Sequence, residues 1–403
     1  MKLKILRFLD KAVEYSIYGM IFFIPISKAA LGTFAGFTAL FFLIKKILAP
    51  DFTSLKSDKT LFLLLLCFFI FMGLSLINSG PLIDKSIRAL LIKWGRFPFL
   101  LWAIIDTFGD KKRIIRAVYV FLISATLVGL SVFTQRFMGF EFLRGRVLGS
   151  SSLPSTGPFN NQNGLAAYLS CLIPFVLSFS LWKWKRAFVK CLLFLITVIL
   201  ILSLNWTFCR GGWLGAIAGV ILVILFTNYH KLKKVFWWLF SFSYILCVPL
   251  IGFGLFYYRN RGDSNRFVLF HGAWRMIKEN PFLGKGLGTF MNYCGEYTKS
   301  LSGYYVHNCF LQIWAESGIF SLLAFLLLVG YVFYRCIKVI IKTPKSLSSF
   351  ILIGLTGGLM SLLVHSFFDV HLYSFQLSFL FWIILGFIVS LSSNLNQEVK
   401  ELQ

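Results

Sequence analysis

The sequence predicts an all-α, polytopic membrane protein with about 12 transmembrane helices, on three observations. The chain is 58% hydrophobic, with a mean hydropathy of +0.79, too apolar for a water-soluble globule. Its apolar residues fall in runs of roughly 20, the length that crosses a hydrocarbon core. Lysines and arginines gather in every second connection between those runs.

Taken in order, the candidate spans centre on residues 12–28, 30–48, 60–78, 88–105, 114–133, 164–181, 188–206, 210–227, 235–257, 308–334, 350–368 and 372–391. Lys28 divides the first pair. Basic residues mark the N-terminus (Lys2, Lys4, Arg7, Lys11) and alternate loops at Lys45, Lys111, Lys183, Lys231 and Lys338. The positive-inside rule assigns these, with both termini, to the cytoplasm. The basic start followed by an apolar run resembles a signal peptide, but more membrane follows it, so it reads as an uncleaved first span. Residues 1–403 form a single integral membrane domain, with long outward loops at 134–163 and 258–307.

Charge and cysteine usage narrow the chemistry. Lys plus Arg number 40 against 15 acids, a formal charge of +25. The surplus extends to the outward loops, where Arg144 and Arg146 accompany Glu141, pointing to an anionic ligand; the plainer alternative is arginine snorkelling to lipid headgroups. The eight cysteines include no C-x-x-C pair, and no D-x-D occurs, so neither a metal cage nor another cofactor site is indicated. Cys294 and Cys309 both fall outward and are candidates for a disulfide.

Four stretches carry the functional candidates. "SNRFVLFHGAWRMIKENPF" reads as an amphipathic helix capped at Ser264 or Asn265, with Phe267, Phe270, Trp274 and Ile277 on one side and Arg266 in its first turn. Asn280-Pro281 ends it, and Gly284, Gly286 and Gly288 then form a tight turn. In "TFCRGGWLGAIAGV", Gly211, Gly215 and Gly219 make a small-residue stripe for close helix approach, with Arg210 at its outward end. In "RALLIKWGRFPFLLW", Arg88 lies outward while Lys93 and Arg96, three apart, share a helix side and need a polar cavity or a buried carboxylate such as Glu316. Finally, "VHNCFLQIWAESGIF" places His307 at the start of a span. Glu316 is nine residues on, about half a turn round and roughly 13 Å deeper, so it cannot orient His307; it pairs with a buried cation or caps a polar cavity. His365, Asp369 and His371 are competing candidates for a base, with His365 and Asp369 at helical i, i+4 spacing.

"CRGGWLG", "NRFVLFHGAWRMIKENPFLGKGLGTF" and "HNCFLQIWAESG" together resemble the O-antigen ligase and polymerase superfamily of bacterial envelope glycosyltransferases, over residues 155–330. The resemblance implies a GT-C-like fold in the bacterial inner membrane with its active site facing the periplasm. It implies an O-antigen ligase of lipopolysaccharide biosynthesis, an inverting, metal-independent transferase of glycan from undecaprenyl diphosphate to lipid A–core. It maps catalytic roles onto His307, Arg210 and Arg266. Arg88, Lys93, Arg96, Arg144 and Arg146 remain candidates for the donor diphosphate, with membrane lipids as partners and no role for nucleic acid. An O-antigen polymerase, a protein O-oligosaccharyltransferase and, outside enzymes, a lipid-linked glycan flippase stay open as alternatives.

Overall fold

The computed structural model describes residues 1–56, 58–148, 153–229 and 264–401. The chain is an all-α membrane bundle. Its helices are α1 Lys2–Phe23, α2 Lys28–Leu48, the short α3 Thr53–Lys56, α4 Lys59–Leu74, the short α5 Ile83–Arg88, α6 Arg96–Thr107, α7 Lys111–Met138, α8 Gln162–Ser180, α9 Ala187–Asn205 and α10 Arg210–Thr227. After the undescribed segment come α11 Ser264–Glu279, α12 Phe290–Thr298, α13 Cys309–Lys342, α14 Leu347–His365 and α15 Phe375–Glu401. A two-stranded hairpin, β1 Phe140–Glu141 with β2 Arg146–Val147, interrupts this order.

Nine described helices are long and apolar enough to cross a membrane. Of the other expected spans, α1 carries charges over its first half, α6 is only 12 residues long, and residues 235–257 lie outside the described residues. The expected helix over 88–105 is not continuous: a π-helical turn at Ala89–Trp94 separates α5 from α6. Burial sorts the bundle into centre and rim. The spanning windows of α15, α8 and α14 are 94%, 83% and 78% buried, whereas those of α2 and α4 are 22% and 28% buried and present their apolar faces to lipid.

Small residues allow the central contacts. A Cβ at Gly215 would lie 2.6 Å from the Ser361 carbonyl oxygen, so only glycine lets α10 approach α14 this closely. Ser361 Oγ donates to the Gly215 carbonyl at 2.8 Å across the same seam. The glycine stripe of α10 therefore does what its spacing indicated.

Polar contacts define two ends. At one, Lys45 bridges Asp10 and Asp106, Lys46 meets Asp106, Arg113 meets Asp10 and Glu14, and Arg116 meets Glu14, tying α1, α2, α6 and α7 together. Lys345 Nζ donates to the Thr227 carbonyl and Tyr331 to Asp58. The opposite end holds the starts of α8, α10 and α13 and the turn between α14 and α15, and it carries the candidate site. Cys294 and Cys309 are buried free thiols, so the disulfide does not form.

Candidate functional site

The turn into α13 is over-determined by its own sequence. Asn308 caps the helix, its side-chain oxygen accepting from Leu311 N at 2.9 Å. Gln312 reaches back to accept from Val306 N at 2.9 Å, while Cys309 N donates to the Ser366 carbonyl at 2.8 Å. Clamped on both sides, His307 adopts φ +58°, a left-handed conformation rare outside glycine. Such strain costs on the order of 1–3 kcal/mol and persists only where surrounding structure enforces it.

His307 Nδ1 lies 3.1 Å from Asp369 Oδ1. Asp369 sits in the turn after α14, where its Oδ1 also accepts from Val370 N at 2.8 Å and its Oδ2 accepts from Asn163 Nδ2 at 2.7 Å. Burial alone would raise the Asp369 carboxyl, but the hydrogen bond from His307 and the neighbouring His371 outweigh it and hold the acid well below the ordinary carboxylate range. An ionised Asp369 only accepts, so Nδ1 of His307 is the donor of this bond and Nε2 is the ring nitrogen left free of it.

Asn163 is the residue that sequence reasoning missed. It belongs to the Asn160-Asn161-Gln162-Asn163 run opening α8, where Asn161 caps the helix through Gly164 N at 2.7 Å. The one available signal was that run of amides at the threshold of an apolar stretch.

The other histidines occupy a different position. α14 ends at His365, so Asp369 is not one helical turn away from it and turns to His307 instead. His365 is buried, with Nε2 3.4 Å from Cys209 Sγ and its ring centroid 4.1 Å from that of His371. Burial lowers the His371 imidazole to about 4, against a partial pull upward from Asp369, leaving it neutral.

Arg210 opens α10 directly after Cys209, is exposed, and has no ion-pair partner among the described residues. A cation at a helix N-terminus sits against the macrodipole, and an anion at the same place relieves both charges. Arg266 lies in the first turn of α11, half-buried, and its charge bears on Cys209, whose thiol burial pushes up while Arg266 pulls it down. Both arginines thus belong to the surroundings of Cys209, which touches His365 beside the Asp369 turn.

α11 forms as expected, but its buried stripe is Leu269, Ala273, Met276 and Ile277, and Trp274 leans outward against Trp314. The glycine turn after it is a splice into α13. Gly318 breaks that helix at φ +79°, and the freed carbonyls of Ala315 and Glu316 accept from Lys285 N and Gly286 N at 3.0 and 2.9 Å. The fully buried Glu316 carboxylate accepts from Gly288 N at 2.9 Å, Phe290 N at 3.1 Å and Gln312 Nε2 at 2.8 Å. Among the described residues Glu316 therefore pairs with backbone N–H groups and the Gln312 amide, and not with a cation.

The remaining cations divide. Arg88 and Lys93 are exposed at the site end, and Lys85 beside them bonds Asn292. Arg96 does not share a cavity with Lys93: the helix breaks between them, Arg96 Nε donates to the Lys93 carbonyl at 2.9 Å, and its guanidinium lies over the rings of Phe97, Phe375 and Phe379. Arg144 and Arg146 sit on the hairpin, bonded to the Pro158 carbonyl and to Asn160 Oδ1.

The site end of this polytopic helical bundle thus combines a strained, carboxylate-held histidine with arginines that have no ion-pair partner among the described residues. Residues 195–326, which include Arg210, Arg266 and His307, match the family model described as O-antigen ligase, a match that supports the resemblance to the O-antigen ligase/polymerase superfamily. The protein is 24% identical over 313 residues to the teichuronic acid biosynthesis protein TuaE of Bacillus subtilis (strain 168), covering 66% of this chain. The chain spans 63% of that relative's length.

Proposed function

We propose that this protein is an inverting, metal-independent O-antigen ligase, transferring glycan from undecaprenyl diphosphate to lipid A–core at the periplasmic face of the bacterial inner membrane. The observation that carries the reading is the His307–Asp369 pair at the end of the bundle where Arg210 and Arg266 have no carboxylate partners among the described residues.

In this mechanism the acceptor hydroxyl donates its proton to His307 Nε2 as its oxygen attacks the anomeric carbon. The bond from that carbon to the diphosphate oxygen breaks, and the electron pair leaves with the lipid diphosphate. Arg210 and Arg266 bind the phosphate oxygens and meet the charge that grows there, most strongly with both guanidinium forks engaged. Asp369 stabilises the imidazolium and holds the ring so that Nε2 faces the acceptor. Attack opposite the leaving group inverts the anomeric centre. Arg88 and Lys93 extend the positive surface toward the donor, whereas Arg96 is committed to its aromatic neighbours.

The Bacillus relative, named for teichuronic acid biosynthesis, favours one second reading: a polymerase whose acceptor is another lipid-linked glycan. Purified protein given undecaprenyl-diphosphate-linked glycan and lipid A–core in EDTA tests these readings together. Glycosylated lipid A–core supports the ligase, lengthened lipid-linked glycan supports the polymerase, and no transfer without added divalent metal contradicts the mechanism. Lysine at position 210 or 266 should keep the charge, lose the fork, and transfer well below wild type.

A further inference from the structure

The hairpin between α7 and α8 has two chemically different faces. Phe140 pairs with Val147 and Glu141 with Arg146, and side chains of successive strand residues point to opposite sides. Phe140 and Val147, 45% and 77% exposed, make one face apolar and outward-looking. Glu141, 0% exposed, and Arg146 make the other. The face suited to lipid is therefore not the one that carries Arg146.

The Glu141 charge is already engaged. Its oxygens accept from Leu143 N and Arg144 N, both at 2.8 Å, and brace the turn that presents Arg144. Among the described residues, Arg144 and Arg146 bond neutral acceptors, the Pro158 carbonyl at 3.0 Å and Asn160 Oδ1 at 2.5 Å. Each guanidinium has five N–H donors, of which these bonds use one apiece. Burial and the nearby Arg144 lower the Arg146 guanidinium, while Glu141, its partner across the hairpin, pulls it up.

The support beneath the pair is fixed. Gln135 Oε1 accepts from Thr156 N at 3.1 Å and Gly157 N at 2.9 Å, and Ser155 N donates to the Trp206 carbonyl at 2.8 Å. Asn160, which holds Arg146, is followed three residues later by Asn163, which holds Asp369. No more than about 11 Å of backbone separates them, a distance that a short glycan covers.

We infer that Arg144 and Arg146 form a specificity subsite for an acidic sugar, a carboxylate- or phosphate-bearing residue of the glycan that reacts at His307. The inference rests on the transferase reading for its substrate but moves both arginines away from the donor diphosphate. Forked guanidiniums favour planar or tetrahedral oxyanions over hydroxyls, so the subsite selects acidic repeats.

The test is binding, which needs no turnover. The full-length protein in phosphatidylcholine nanodiscs is titrated with an oligogalacturonate and with the same oligosaccharide after reduction of its carboxyls. Wild type should prefer the acidic form, and Arg144→Gln/Arg146→Gln should weaken that form by roughly tenfold or more while leaving the reduced form unchanged. His307→Ala should keep the preference; its loss of transfer with the preference retained, or the reverse, separates this subsite from the catalytic assignment. If the double variant melts early, the single variants Arg144→Gln and Arg146→Gln carry the comparison. Equal binding of the two probes by wild type, or an unchanged preference in the variants, overturns the proposal. So does a preference abolished by phosphatidylglycerol in the nanodisc, which would give the arginines to lipid headgroups.

Discussion

His307 and Asp369, 62 residues apart in sequence, meet through Nδ1 and Oδ1 at 3.1 Å because the turn into α13 docks on the turn out of α14. Three donors converge on the one carboxylate, from His307, Val370 N and Asn163. Asp369→Asn should preserve shape but allow the His307 ring its other tautomer, lowering transfer by roughly 10²-fold or more with donor binding unchanged. Transfer rates and donor affinity measured side by side check this. A wild-type rate would reduce Asp369 to packing.

Glu316 makes a prediction about stability. Glu316→Ala would leave Gly288 N and Phe290 N without their buried acceptor, at a cost of about 1–3 kcal/mol each. The thermal midpoint in detergent should fall clearly, and less in Glu316→Gln, which keeps an acceptor oxygen. Equal midpoints in all three proteins would mean the splice into α13 holds without the carboxylate.

The break in α13 can be tested with two glycines of one helix. A Cβ at Gly318 would overlap the Phe282 carbonyl in a conformation with φ +79°, whereas nothing lies within 4 Å of a Cβ at Gly330. Gly318→Ala should lose most folded yield, and Gly330→Ala should match wild type or gain a few tenths of a kcal/mol. Yield by size-exclusion chromatography distinguishes them.

The pH dependence of stability follows from His371. Its folded value, about 4, lies below the ordinary 6.5, so between the two the unfolded chain binds more protons. Its contribution is whole above pH 6.5 and is lost as pH falls toward 4. The depressed Asp369 adds its loss only below roughly pH 4, the ordinary carboxylate range. Thermal midpoints should drop across the upper window, and His371→Gln should flatten that part of the profile.

Much of the architecture was legible because membrane spans obey local rules. Run length and alternate basic loops gave the helices, the periodicity after Ser264 gave α11, and Gly211, Gly215 and Gly219 gave a seam that forms. Most of the failures share a physical cause, that partners distant in the chain supply the decisive contacts. The i, i+4 rule joined Asp369 to His365, but α14 stops at His365 and the acid turns away. Glu316 looked like a charge in need of a cation, because backbone N–H groups freed by a turn leave no mark in a residue pattern. The stretch holding Lys93 and Arg96 read as one helix because apolar residues dominate it, and the π-turn before Gly95 is invisible to that count. Asn163 lay in plain view, but only the fold brings it to Asp369.

The most direct test of the account is transfer by purified His307→Ala, with donor binding measured separately. Turnover should fall by roughly 10² to 10⁴, the range for a positioned acid or base, with donor affinity intact because Arg210 and Arg266 carry it. Turnover close to wild type in His307→Ala would contradict the account.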